Sequence, residues 1–387
     1  MDLAPIREHK MACTPISLEI YRTAIAMRSF RHAAAGRDVA EAIVARLELS
    51  DGRIGWGETL PRSYVTGETL ESVENDLRNT LWPAIAHLPI EHRSQLHLPL
   101  KDPTGRRIPA ACCALDIALA DAGFLTDPFA GTAQGCLNRL RASGVVGSDD
   151  PRKTARKLAL LRLAGLLDFK LKLGFSEQID LANLLAARRW IGRGVGSGKL
   201  TLRVDVNGGW DPQKTLKNMP VLVEHGVCVV EQPVFAPPAE LVELARRCDL
   251  PLMADESLVS IDDARALLAE PKRIWWNIRL SKNGGILPAM ELVKLAQQHG
   301  VTWVAGCMVG ESGILSAAQR RFLERVAYPP RFVEGNYGKF LLSCDLVCPS
   351  VRVGYGGRLK HLAGPGLGVK IDHVALARLG RLVVKLT

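Results

Sequence analysis

Six ionisable residues, Lys172, Asp205, Glu231, Asp255, Lys282 and Glu311, each close a short apolar run of the chain. From Asp205 onward the gaps are 26, 24, 27 and 29 residues, each about one strand-plus-helix unit. One acidic residue after an apolar run is an ordinary helix cap, but a set in phase on successive runs marks a site. Asp205, Glu231 and Asp255 would converge from adjacent strands, where carboxylates raise one another's pKa unless a cation joins them. Hard oxygen donors without Cys or His suit Mg²⁺ better than zinc. None of the 9 histidines ends such a run. Lys172 precedes the three carboxylates and Lys282 follows them, so the two lysines would approach a substrate from opposite faces. A lysine at its reference pKa of roughly 10.4 is a poor base at neutral pH. Burial, a divalent cation and a second ammonium all lower it. In "FKLKLG" that second ammonium is Lys170, on the same strand face as Lys172 and placed to hold a substrate carboxylate oxygen. The chemistry implied is removal of the proton beside a carboxylate, with the enolate charge held by the metal. A base on each side permits inversion, or addition or elimination from one face.

Such a set needs a frame that repeats. From about Ser143 the chain alternates short apolar runs ("SGVVG", "DFKLKLG", "KLTLRVDVNGG", "GVCVVEQP", "LPLMADES", "IWWNIRLSKNGG", "VTWVAGCMVGES") with amphipathic segments such as "PAELVELARRC". This is βα alternation, and an eighth strand fits near "RFVEG". Eight units in about 200 residues predict a (β/α) TIM-type barrel, whose chemistry sits at the C-terminal ends of the strands. A doubly wound sheet is disfavoured because no G-x-G-x-x-G follows the first strand. The first 135 or so residues instead read as strands with a turn at Ser50-Asp51-Gly52, then helices, hence an α+β domain. The expected division is an α+β domain over 1–137, the barrel over 138–355, and a C-terminal segment over 356–387.

Composition excludes other classes. The chain has 387 residues, 47% hydrophobic and 23% charged, and no run long enough for a spanning helix. The net charge of +10 is spread without a run of five basic residues, so it reads as a basic surface that attracts anionic substrates, not as a nucleic-acid footprint. The 9 scattered cysteines show neither zinc nor redox spacing and read as core thiols of a protein in a reducing cytoplasm.

The motifs "KLKLG", "DVNGGW", "EQP", "ADES", "NIRLSKNGG", "GCMVGES" and "GPGLGV" occur in this order over about residues 30 to 370. Together they resemble the enolase superfamily in its muconate-lactonizing subgroup, whose Lys-or-His base and Mg²⁺ form a known pattern. The resemblance implies a capping domain over the barrel, completed by the C-terminal segment, and a homo-oligomer. It implies Mg²⁺ (Mn²⁺ as a substitute) on Asp205, Glu231 and Asp255, with Asn207 and Glu256 behind them. Lys172 and Lys282 would be the acid/base pair, Lys170 would assist, and Glu311 would close the site. Substrate contacts would come from the cap at Arg28, Phe30, His32, Tyr64 and Thr66, within and near "GWGETLPRSYVTGET", and from Arg279, Cys307, Met308, Glu334 and Asn336 on the barrel. The implied activity is that of a metal-dependent isomerase of a small carboxylate, muconate cycloisomerase-like or epimerase-like. Its alternatives are an o-succinylbenzoate synthase or N-acylamino acid racemase-like enzyme, and a relative that binds a carboxylate without turnover.

Three features depart from that pattern. Relatives often carry Lys where Arg279 stands, and arginine stays charged, so it is no base. Arg279 and Lys282 cannot share a face of one regular strand, so that strand should end before Lys282. "GCMVGES" carries an extra glycine before Glu311, and Glu334 with Asn336 stands where dipeptide epimerases carry an Asp-x-Asp pair for the substrate ammonium.

Overall fold

The computed structural model describes residues 12–32, 35–91, 96–124 and 137–387, except for the side chains of residues 29–32, 35 and 37. Strands β1 (Pro15–His32), β2 (Ala35–Leu49) and β3 (Ile54–Thr59) form an antiparallel sheet. The C-terminal strand Gly380–Leu386 adds to its edge, with Leu386 opposite Leu18. The last residues of the chain thus return to the first domain. The strand period of two sorts β2 onto two buried faces. Ile43, Ala45, Leu47 and Leu49 pack on helices carrying Val73, Leu77 and Leu115, while Ala40, Ala42 and Val44 join the main core.

β3 lies directly on the helix Pro109–Leu119, every residue of which is buried. A Cβ on Gly57 would collide with the carbonyl of Ala114, and one on Gly55 with that of Ala118. Glycines two apart on a strand face thus match carbonyls one helical turn apart, which explains "GWGE". Part of the stretch expected as a cap loop is therefore a strand, and residues 60–69 leave the sheet, through the short helix Ser63–Thr66. Because the obstruction is backbone, Gly57→Ala should cost about 1–3 kcal/mol, read as a lowered urea midpoint at unchanged slope.

Eight strands make the second body: β4 (Gly144–Val146), β5 (Asp168–Lys172), β6 (Thr201–Asp205), β7 (Val227–Glu231), β8 (Leu252–Ala254), β9 (Ile274–Ile278), β10 (Trp303–Ala305) and β11 (Phe332–Val333). Each is parallel to its neighbours in sequence order. A bridge between Ala142 and Val333, with the Ser143 amide donating to the Val333 carbonyl at 2.7 Å, closes the ring. This is the expected (β/α) barrel with an N-terminal antiparallel domain. Val229, Met253, Val304 and Phe332 fill its lower interior. After β11 the chain runs through two short 3-10 helices and an antiparallel pairing of Val347–Cys348 with Lys370–Ile371 to the helix His373–Leu379.

Buried carboxylates position the helix N-termini that join the two bodies. Glu58 on β3 accepts from the Ser312 amide (3.0 Å), the Ser312 hydroxyl (2.7 Å) and the Leu315 amide (3.0 Å), at the start of the helix Gly313–Leu323. Asp116 accepts from the Ile286 amide at 2.6 Å, at the start of Ile286–His299. Within the first body, Glu68 accepts from the Ala110 and Ala111 amides. Burial outweighs these donors at Glu58 and Glu68 and pushes each carboxyl up to about 7. The folded protein therefore binds these protons more tightly than the unfolded chain does. Their contribution is full below the ordinary carboxyl pKa of 4.5 and is lost as pH rises through about 7. The thermal midpoint should accordingly rise on acidification from pH 8 to pH 5, and Glu58→Gln should flatten that slope.

No helix among the described residues is long and apolar enough to cross a membrane. Among the described residues, Cys13, Cys113, Cys228, Cys248, Cys307, Cys344 and Cys348 are free thiols.

Candidate active site

Alternation along the barrel strands turns one ladder of side chains inward. Register pairs Lys170 with Arg203, Lys172 with Asp205 and Asp205 with Glu231. Asp255 follows β8 directly, and Asn277 and Arg279 continue the inward face of β9. The barrel thus brings together Lys170, Lys172, Asp205, Glu231, Asp255, Arg279 and Glu334 above its apolar floor.

Each carboxylate meets a basic partner. Lys170 Nζ lies 3.1 Å from Asp205, 3.0 Å from Glu231 and 2.8 Å from Glu334. Burial opposes its charge, but these three carboxylates outweigh burial and hold its ammonium above the ordinary lysine range. Lys172 Nζ donates to Asp205 Oδ2 at 2.5 Å and to Asn207 Oδ1 at 2.7 Å. Despite burial, Lys172 and Lys170 hold the Asp205 carboxyl well below the usual range. Glu231 is pushed up, by burial and then by the charge of Asp205. Arg279 contacts Asp255 Oδ2 and lies 3.5 Å from Glu231.

Asp205, Glu231 and Asp255 are fully buried. As placed they turn to the basic side chains, not to one shared point. The donor set nonetheless fits a hard divalent cation. Desolvated carboxylates crowd together, and the buried Glu256 Oε2 has no hydrogen-bond partner while Glu256 Oε1 accepts from Asn207. Burial and the Asp205 charge push the Glu256 carboxyl up to about 7.

Lys282 is placed differently from Lys172. β9 ends at Ile278, and Lys282 sits on the short helix Leu280–Asn283, fully buried. Its Nζ donates to the Asp255 carbonyl (2.7 Å), Asp255 Oδ1 (2.9 Å) and the Asn277 carbonyl (2.8 Å). All three N–H bonds are spent behind Asp255, and burial followed by the Arg279 charge drives its pKa well below the lysine value. Lys282 does not line the cavity over the site; Arg279 does. Ser281, next to it, is bonded to Thr59 Oγ1 and the Leu60 amide, so the capping domain fixes this helix.

That cavity, of about 290 Å³, opens over Lys170, Lys172 and Arg279. Cys307, Met308, Glu311, Glu334, Asn336 and Arg28 line it. Tyr64 and Thr66, on the helix Ser63–Thr66, do not line it. The side chains of Phe30 and His32 lie outside the described residues. The extra glycine does not remove Glu311. Gly310 takes φ +98° and approaches Ala40 of β2, and Glu311 folds back so that its Oε1 accepts from the Met308 amide at 2.6 Å. Burial pushes that carboxyl up to about 8.

Sequence reasoning passed over three residues here. Arg203 is two before Asp205 on the same face; it donates to Glu334 at 2.8 Å and lies 4.3 Å over the Phe332 ring. Its signal was the "RVD" alternation. Gln232 Oε1 accepts from the amides of Asp255 (2.8 Å) and Ser257 (3.1 Å), so the Gln of "EQP" fixes the third carboxylate. It holds φ +36°, an uncommon value for this residue type, at the end of a site strand. Lys157, on the helix after β4, lines the cavity and had no signal in the strand pattern.

The model for the family described as Enolase C-terminal domain-like matches residues 153–375. The chain is 32% identical over 281 residues to N-succinyl-L-Arg/Lys racemase of Bacillus cereus, covering 71% of this chain and 74% of that protein. The solved muconate lactonizing enzyme of Pseudomonas fluorescens, complexed with muconolactone, superposes with a TM-score of 0.80 at 25% identity, over 96% of this chain and 100% of that one. A dipeptide epimerase from Enterococcus faecalis, solved with Mg and the dipeptide L-Leu-L-Tyr, shares the fold at a TM-score of 0.77 and 24% identity, over 92% of this chain and 99% of that one.

Proposed function

The chain belongs to the Enolase C-terminal domain-like family, in the muconate-lactonizing branch of the enolase superfamily, and from that premise we propose how its site works as a metal-dependent isomerase. Lys172 moves the proton at the carbon beside a substrate carboxylate, on one face only. Asp205, Glu231 and Asp255 would hold Mg²⁺, which when bound neutralises charge developing on that carboxylate. Lys170, kept cationic by its three carboxylates, presents a fixed positive charge beneath the reacting carboxylate. Arg279 lies four strands round the ring from Lys172, on the opposite wall. Its guanidinium stays protonated and offers hydrogen bonds and charge, not a base.

The observation that carries this reading is the exchange of places between Arg279, which lines the cavity, and Lys282, whose ammonium is consumed behind Asp255. One-face chemistry favours addition to or elimination from an enolate, the cycloisomerase type, over inversion. The racemase relative favours a second reading, in which Lys282 swings free to complete a two-base epimerase. Substrate class, homo-oligomeric state and Mn²⁺ as a substitute belong to the same proposal and rest on the resemblance; a cytoplasmic location belongs to it too and rests on the scattered cysteines.

The test is deuterium uptake from D₂O by proton NMR over N-acyl amino acids and muconolactone-type lactones, with Mg²⁺ and with EDTA. Uptake at an α-carbon should disappear with EDTA and return with excess Mg²⁺. Uptake indifferent to chelation would remove the metal from the account.

A further inference from the structure

We propose that the N-terminal end of the barrel, opposite the catalytic face, binds a small phosphorylated ligand, held at its phosphates by Arg139, Arg141 and Arg331. The strand ends fix the place. Asp168 opens β5 and Phe332 opens β11, and both line a cavity of about 550 Å³ shared with residues 139–141, just before β4, and with Arg331. Lys172 and Asp205 close the other ends of their strands, so the length of the barrel separates this cavity from the catalytic site. Its size is that of a pocket for a metabolite, roughly 300–1,000 Å³.

The backbone forces like charges together here. Ala142 bridges Val333 in parallel, and the Ser143 amide donates to the Val333 carbonyl at 2.7 Å. Arg331 is therefore level with Leu140, between Arg139 and Arg141, at about one strand spacing of roughly 5 Å. On the other side Arg141 is bridged antiparallel to Arg358, and the Ala142 amide donates to the Gly357 carbonyl at 2.8 Å. Residues so opposed share a face at about 5 Å between Cβ atoms, where like charges repel. The close approach is built in. Gly357 holds φ +71°, and a Cβ on it would lie 2.4 Å from the Ala142 carbonyl oxygen.

Counter-charge is scarce. Among the described residues the side chains of Arg139, Arg141, Arg331 and Arg358 make no ion pair and no hydrogen bond. Asp168 is the one carboxylate lining the cavity, and its Oδ1 already accepts from Thr201 at 2.6 Å. Arg331 lies 5.5 Å from the Phe332 ring, which also carries Arg203 at 4.3 Å. Three guanidiniums facing one engaged carboxylate make a positive concavity, and a concave wall focuses its field on an anion. The planar arginine fork matches phosphate oxygens in pairs, and three forks in one cavity suit adjacent phosphates better than one carboxylate. Leu140, Pro329 and Pro330 supply an apolar wall beside them, which an organic group on the phosphates would cover.

The test is calorimetry on the full chain at fixed ionic strength and without Mg²⁺, using pyrophosphate, ATP and sulfate. Pyrophosphate and ATP should each bind one equivalent, at least about tenfold tighter than sulfate. ATP tighter than pyrophosphate would assign the site to an organic phosphate, and equal affinity to the free anion. Arg141→Gln and Arg331→Gln should each weaken pyrophosphate about 10- to 100-fold, and Arg141→Lys should weaken it less. The thermal midpoint without ligand should stay within about 2 °C in all three variants. Pyrophosphate binding no tighter than sulfate would reduce the arginines to a solvated face. Binding that survives both glutamine variants would put the anion among Lys170, Lys172 and Arg279 at the other end. Either result overturns the proposal, and neither bears on the reaction proposed above.

Discussion

Arg279→Lys is expected to give this enzyme a second proton-transfer group and, with it, exchange at the α-carbon from both faces. In the native site the wall opposite Lys172 carries a guanidinium, which keeps its proton at any working pH. A lysine at 279 would leave from the same inward position of β9. It would stand near Asp255 and Glu231, as Arg279 does, and could release a proton once the metal neutralises those carboxylates. One positioned general base contributes about 10² to 10⁴ in rate, so the enantiomer that the native enzyme exchanges slowly should gain at least about 10²-fold. Lys282→Met serves as the contrasting variant. It should leave the native enantiomer preference in place while destabilising the fold by about 3–5 kcal/mol, because Asp255 loses a fully buried partner. If Lys282→Met instead abolished exchange of one enantiomer while the other survived, Lys282 would be the second base and the two-base reading would win.

Lys172→Met is expected to remove exchange of the native enantiomer by about 10² to 10⁴ while substrate affinity changes by less than about tenfold. Lys170, Arg279 and the metal would still hold the carboxylate, so the loss falls on turnover and not on binding. Parallel losses in affinity and rate would make Lys172 a binding group. Charge bookkeeping supports the split. Asp205 keeps Lys170 at 3.1 Å when Lys172 is removed, so no carboxylate of the site is left without a cation.

Much of the site was legible in the sequence because a parallel barrel repeats. One inward carboxylate per unit puts Asp205, Glu231 and Asp255 in phase, and period-two alternation places Lys170 with Lys172. The same reasoning runs out where the strand period stops. β9 ends at Ile278, before Lys282 as the parity of Arg279 and Lys282 required, but parity carries no direction for the helical turn beyond, which sets the Lys282 side chain behind Asp255. Arg279, one residue past the strand, retains the inward direction. Gln232 was invisible as a positioning group because it acts through the backbone amides of Asp255 and Ser257, a contact made across the chain. Lys157 was hidden for another reason: helices after barrel strands normally face outward, and only the three-dimensional path of Pro151–Leu163 brings one of its residues to the cavity. The cap was half legible. Its strands follow from alternation, but which of its residues reach the substrate depends on docking through Glu58, Asp116 and Ser281.

The most direct measurement starts from each pure enantiomer of one accepted α-substituted acid and follows deuterium uptake and optical purity together, with native enzyme and Mg²⁺. A single base on β5 predicts fast uptake into one enantiomer, little into the other, and retained configuration in the deuterated product. Equal uptake into both enantiomers with loss of optical purity would contradict the account, because a second base must then face the substrate where the structure places Arg279.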